Sequence, residues 1–163
     1  MDLTPYQHVE RITVARPPED VYAIVADVTR IGELSPVCAS CAWVEPATGA
    51  AAGAWFTGHN AIGEFTWDTR CRVDVADPGT EFTFVNLGPA GDVELVRWGY
   101  TFTPTADGTE VVESWQVLPD YPAFVRGDDA DMDVTPRLDG MATMARDGMA
   151  ATLAKLKAVA ESS

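Results

Sequence analysis

From Cys38 to Leu118 the apolar residues recur at every second position, and only after this stretch does a helical period return, over one long segment. A period of two over some eighty residues is the mark of strands with one buried face. The alternation predicts strands over Cys38–Glu45, Ala54–Asn60, Glu64–Ala76, Glu81–Leu87, Val93–Thr103 and Glu110–Leu118. Between them stand turn residues: Gly49 and Gly53, Ile62-Gly63, Asp77-Pro78-Gly79, Gly88-Pro89-Ala90-Gly91 and Ala106-Asp107-Gly108. Such short spacings join antiparallel neighbours, because a parallel crossover needs a dozen residues or more.

Ahead of this meander, Gln7 to Ala15 reads as a first strand, with Ile12 and Val14 alternating with polar neighbours. Pro17 and Pro18 suit the first turn of a helix, where no intrahelical N–H bond is lost. Glu19 and Asp20 favour its positive end. Val21, Ile24, Val25 and Val28 carry this short helix to about Val28, and a second helical turn from Arg30 to Leu34 stops before Pro36. After the meander comes an acidic segment, Pro119 to Asp133, expected to be irregular. A helix from about Pro136 to Ala160 follows, with Thr135 as its expected cap. Leu138, Met141, Ala145, Met149, Thr152, Leu153 and Leu156 form its apolar stripe. Lys155 and Lys157 suit its negative end.

The expected architecture is therefore α+β: a seven-stranded curved antiparallel sheet around a long C-terminal helix, with two short helices after the first strand. Residues 1–163 read as one domain. A meander of this length must curl and bury its inner face, and only the terminal helix is long enough to cover it. The hollow left between helix and sheet is the expected binding cavity.

Charge and composition narrow the partners. Twenty-five Asp and Glu against eleven Lys and Arg give a formal charge of -14. Phosphate backbones and anionic membranes repel such a surface, so nucleic acid and membrane are not expected partners. No apolar run reaches the ~20 residues of a membrane span. The opening residues Met1 to Pro5 show no basic region followed by an apolar stretch, and three cysteines suggest no disulfide framework, so a cytoplasmic location is expected. Monomer and homodimer stay open.

Three phrases resemble the START/Bet v1-like superfamily, in particular its bacterial polyketide cyclase/dehydrase-like proteins. They are Ile12-Thr13-Val14-Ala15-Arg16-Pro17-Pro18-Glu19-Asp20-Val21-Tyr22, then Asp27 to Pro36, and Gly108-Thr109-Glu110-Val111-Val112-Glu113-Ser114-Trp115. The resemblance implies the helix-grip fold and a cavity open to polyketides, steroids or lipids. It implies function less sharply, because the superfamily mixes carriers, cyclases and regulators. The cyclase subgroup is thought to use an arginine on a central strand; the matching place, counted back from Asp77-Pro78, holds Asp74. Arg70 and Arg72 share its parity, opposite Trp67, Cys71 and Val73, and are expected to face solvent.

Aromatic residues cluster at alternating positions, and five tryptophans exceed what a sheet core needs. The expected ligand-binding set is Trp55, His59, Trp67, Phe84, Trp98, Tyr100, Glu113 and Trp115 on the strands, with Met141 and Met149 on the helix. His59 and Glu113 are the candidates for catalysis. His59 shares parity with Trp55, and an inward histidine titrates near neutral pH. Glu113 shares parity with Val111 and Trp115, and an inward carboxylate is costly unless paired or protonated. The plainer alternatives are a rim histidine and a carboxylate paired with Arg97.

Two motifs carry less. Cys38-Ala-Ser-Cys41 has redox spacing, but it enters a strand, where alternation is expected to place the two thiols on opposite faces. Asp129-Ala-Asp131-Met-Asp133 imitates the start of a calcium loop, yet Val134 stands where glycine is needed and Gly140 where glutamate is needed. No metal and no cofactor is expected. The functions in view are a carrier for a small hydrophobic molecule, a cyclase or dehydratase acting in the same cavity, and a regulatory module without a ligand. The last would show a collapsed cavity and an apolar patch outside the sheet.

Overall fold

The computed structural model describes residues 1–163. Its elements run β1 (Gln7–Val14), α1 (Pro18–Ala26), a 3-10 turn (Val28–Glu33), β2 (Cys38–Trp43), β3 (Trp55–Ile62), β4 (Phe65–Asp77), β5 (Glu81–Asn86), β6 (Val96–Thr105), β7 (Gly108–Val117), α2 (Tyr121–Arg126) and α3 (Thr135–Glu161). The seven strands form one antiparallel sheet in the order β1-β7-β6-β5-β4-β3-β2. Every neighbouring pair from β2 to β7 is a hairpin, and β1 closes onto β7 across the length of the chain. The α+β architecture is the one the period change predicts.

Local chemistry sets the boundaries. Pro18 opens α1, and Asp27 ends it by accepting the Thr29 N–H at 3.2 Å, which starts the 3-10 turn. Two expectations are corrected in the segment before α3. Residues 119–133 are not wholly irregular, since Tyr121–Arg126 makes a short helix with Pro122 in its first turn. Thr135 is the first residue of α3 instead of its cap, and its N–H bonds to the Asp133 carboxylate at 2.9 Å. This bond occupies the last acid of the calcium-like run.

The sheet buries one face against α3, which packs chiefly on β1 and also touches β7 and α1. Leu138, Ala142, Ala145, Met149, Thr152, Leu153, Leu156 and Ala160 are its buried residues. Enclosing a leucine such as Leu156 stabilises the fold by roughly 2 kcal/mol. The far end of α3 is tied to β1 and to the link after it: Lys157 Nζ donates to the Thr13 carbonyl at 2.8 Å, and Arg16 Nη1 to the Ala160 carbonyl at 3.2 Å. No helix is long and apolar enough to cross a membrane.

The core under the helix is divided. One cluster joins Val14, α1, Phe56, Cys71, Val73, Phe82, Tyr100, Phe102 and Val111 to Leu153 and Leu156. A second joins Tyr6, Leu95, Val96, Trp115, Val117 and Tyr121 to Leu138, Ala142, Ala145 and Met149. Where they meet, the sheet supplies Glu113, between Val111 and Trp115, and the helix supplies Thr152, between Met149 and Leu153. Both polar residues are buried.

Candidate functional site

The alternation of β6 turns Val96, Trp98, Tyr100 and Phe102 toward the helix, and that of β7 turns Val111, Glu113, Trp115 and Val117 the same way. Register sets Tyr100 beside Glu113 and Trp98 beside Trp115. Tyr100 Oη donates to Glu113 Oε1 at 2.8 Å. Glu113 is 2% exposed, and its other oxygen, Oε2, is fully enclosed with no hydrogen-bond partner. A buried acceptor without a partner is rare and costly, so it demands a reason.

Protonation supplies part of that reason. Burial raises the Glu113 pKa to about 8, the Tyr100 bond opposes the rise, and the charge of Glu10 adds to it. Near pH 7 the group is therefore mostly a neutral acid. With Oε1 taken by Tyr100, its own proton belongs on Oε2, where it is available for donation. Tyr100 is held well above its ordinary value, first by burial and then by Glu113.

The same face continues onto β1, where Glu10 stands directly opposite Glu113 and His8 opposite Trp115. His8 Nε2 and Glu10 Oε1 lie 2.8 Å apart, both half-buried. A polar row thus crosses three strands: His8 and Glu10, Glu113, Tyr100. Sequence reasoning missed its outer two members, although Ile12 and Val14 share their parity and mark the frame.

The remaining expected residues divide by face. Trp98 is half-buried against the second cluster, which Met149 enters fully and Met141 borders. Phe84 lies beside Trp98 in register and meets Phe56 edge-on at 5.1 Å. Trp67 lies on the inner face but further along, opposite the buried Asn60 and stacked at a tilt on Phe65.

The other two strand residues are corrected. Phe56 is the inward residue of β3, opposite Cys71, so Trp55 and His59 point away from the helix. Trp55 packs near Val85, Leu87 and Leu118 and lies under the Arg70 guanidinium, 5.7 Å from its ring centre. His59 is half-exposed and paired with Asp68 at 2.7 Å. A histidine so placed cannot act in the interior. Arg70 and Arg72 lie on that outer face as expected, with Arg72 bound to Asp74 at 3.0 Å and Glu94 at 2.6 Å.

A third correction concerns Cys38 and Cys41. A bulge lies between Cys38 and Ser40, and it brings the two sulfurs to 3.4 Å instead of opposite faces. No group of three potential metal ligands forms anywhere in the structure. Surface recesses include one of about 640 Å³ around the β2–β3 connection and one of about 480 Å³ over β1, β6 and β7, which His8 and Trp115 help to line; neither is lined by a residue of α3.

Residues 7–161 match the family model described as polyketide cyclase / dehydrase and lipid transport. The chain belongs to this family. Among solved structures, a polyketide-cyclase-like protein of Corynebacterium glutamicum is 34% identical, with 94% of this chain and 90% of that one covered and a TM-score of 0.66. An aromatase/cyclase from a Streptomyces species shares the fold of this polyketide cyclase/dehydrase family member at 14% identity, covering 95% and 93% of the two chains with a TM-score of 0.73. The di-domain ARO/CYC protein BexL is 18% identical with a TM-score of 0.71, over 95% of this chain and 50% of its own. No curated protein matches the sequence.

Proposed function

We propose that this member of the polyketide cyclase/dehydrase family binds a small hydrophobic molecule bearing a carbonyl or hydroxyl oxygen, between the sheet and α3. Polyketide, steroid and lipid-like molecules fit that chemistry. The observation that carries the reading is the enclosed, unpartnered Oε2 of Glu113. A neutral carboxylic acid there donates to a ligand oxygen, and Trp98, Trp115, Phe84 and Met149 supply apolar contact around it. The buried polar pair Glu113 and Thr152, set between the two apolar clusters, supports placing the ligand's oxygen there. Trp67 and Met141 border the same face.

Native mass spectrometry of gently purified protein tests this, since a ligand held inside travels with the chain. Quenching of tryptophan emission by acetonaphthone, an aromatic ketone, gives the affinity. Uptake that is saturable and weakened in Glu113→Leu, which has no donor to offer, supports the reading. Uptake unaffected by Glu113→Leu removes Glu113 from it.

A second reading, cyclase or dehydratase chemistry, has one observation in its favour. An acid whose pKa lies near 8 and whose partner is a tyrosine is suited to protonate a carbonyl oxygen as a neighbouring carbon is attacked. It predicts turnover of a polyketide precursor that falls steeply in Glu113→Gln; equal turnover in that variant refutes it. His59, outside the sheet, has no part in either reading.

A further inference from the structure

The Cys38–Cys41 pair lies outside the Glu113 site, and three features shape it. The extra residue of the bulge is Ala39, since Cys38 pairs with Asn60 and Ser40 already with His59. That bulge is fitted by Gly32 of the 3-10 turn: a Cβ at Gly32 would come within 2.3 Å of the Ala39 carbonyl oxygen. Gly58 of β3 lies against the pair: an added Cβ would clash with Thr69 Oγ1 at 2.8 Å and sit in ordinary contact with the Cys41 and Cys38 sulfurs at 3.6 and 3.7 Å. Gly32 thus permits the bulge that brings the two thiols together, and Gly58 floors it.

The pair is also asymmetric. Cys38 is lowered first by its contact with Cys41, 3.4 Å away, and burial opposes the shift. Cys41 is raised strongly by the same partnership and by burial. Cys71, the third thiol, is buried and pushed up to about 12 by desolvation. The first two remain half-buried and open to small reagents. Two half-buried thiols in contact, one lowered and one raised, are the arrangement of a nucleophilic and a resolving cysteine.

We propose that Cys38 and Cys41 form a reversible dithiol–disulfide site that reacts with hydroperoxides, with Cys38 as nucleophile and Cys41 as resolving thiol. The Cys38 thiolate attacks the terminal oxygen of the hydroperoxide. An S–O bond forms, the O–O bond breaks, and the alkoxide leaves as alcohol with the proton Cys38 had released. The Cys41 sulfur then attacks the sulfenic acid at Cys38, forming the S–S bond and releasing water that carries the Cys41 proton. Two electrons pass from the dithiol to the hydroperoxide, and an external dithiol returns them. The sulfurs need approach by only about 1.4 Å to reach bonding distance.

The experiment exposes the intact chain to hydrogen peroxide, alkylates remaining thiols in denaturant and maps the peptides. The expected product is a monomeric chain two hydrogen masses lighter, with Cys38 and Cys41 both protected and Cys71 still alkylated. Dithiothreitol restores both sites. In Cys41→Ser, dimedone captures a sulfenic acid at Cys38. A bridge through Cys71, a bridge between chains, or full alkylation of both residues after a dose that oxidises free cysteine overturns the proposal. Wild-type mapping decides it even where Cys41→Ser does not fold.

Discussion

Tyr100 and Glu113 face one another across β6 and β7, the phenol donating to Oε1 at 2.8 Å, and no other protein group hydrogen-bonds the carboxyl. One oxygen is thus held and the other is free within the interior. This asymmetry gives the site its direction, and it has a measurable signature in stability.

The Glu113 carboxyl titrates from 4.5 in the unfolded chain and from about 8 in the folded one. Below 4.5 both states hold the proton. Between the two values the unfolded state releases it and the folded state keeps it, so stability falls as pH rises through this window and levels off above about 8. The total is on the order of 5 kcal/mol. Glu113→Gln is neutral at every pH and abolishes this slope. Urea unfolding at pH 5 and pH 8 checks it, and an unchanged slope in the variant contradicts the assignment.

Tyr100→Phe removes the only donor to Glu113 and leaves both oxygens unpartnered. The expected loss is about 1–3 kcal/mol. Because the tyrosine bond holds the Glu113 pKa down, its removal also shifts the upper end of the pH slope further up. Denaturation over a pH series reads both effects at once.

Trp98 is half-buried, whereas Leu156 is fully enclosed by the larger cluster. Trp98→Ala is expected to weaken acetonaphthone uptake about tenfold, which corresponds to 1.4 kcal/mol of lost ring contact, with a smaller loss of stability. Leu156→Ala should do the reverse: about 2–5 kcal/mol of stability through the cavity it leaves, with the Glu113 pH slope retained. Parallel titrations and melts separate the two; equal affinity with a lower melting point in Trp98→Ala defeats the assignment.

His59→Ala is expected to alter stability by no more than about 0.5 kcal/mol, since its contact with Asp68 is exposed. Ligand uptake should be unchanged. A marked loss of uptake would place His59 within reach of the ligand, against the geometry.

These contrasts show what the sequence made legible. The strand order follows from turn residues at short spacing, and Glu113 is placed correctly because Val111 and Trp115 flank it at the same parity. β3 misleads because Trp55 and Phe56 are adjacent aromatics, either of which satisfies a period of two. Pairing of Phe56 with Cys71 decides between them, and that is a register between strands, invisible along one strand. The Cys38–Cys41 contact is hidden for a related reason. One bulge residue shifts the frame, and the Gly32 contact at that bulge comes from a different element. Glu10 and His8 were readable in principle, since Ile12 and Val14 mark their face, but nothing in β1 alone says that β7 lies beside it.

That last pairing has a consequence for how the molecule comes together. Each of β2 to β7 meets a partner that is its neighbour in sequence, but β1 waits for β7, with Val14 pairing to Thr109. During synthesis the first strand therefore emerges long before its template, and six strands are able to assemble while it stays unpaired. Closing so long a loop is slow in comparison with forming a hairpin. Pulse-labelled hydrogen exchange during refolding should find β1 the last strand to gain protection. Glu10 then reaches Glu113 only in that final step, so the polar row is completed at the end of folding and not before.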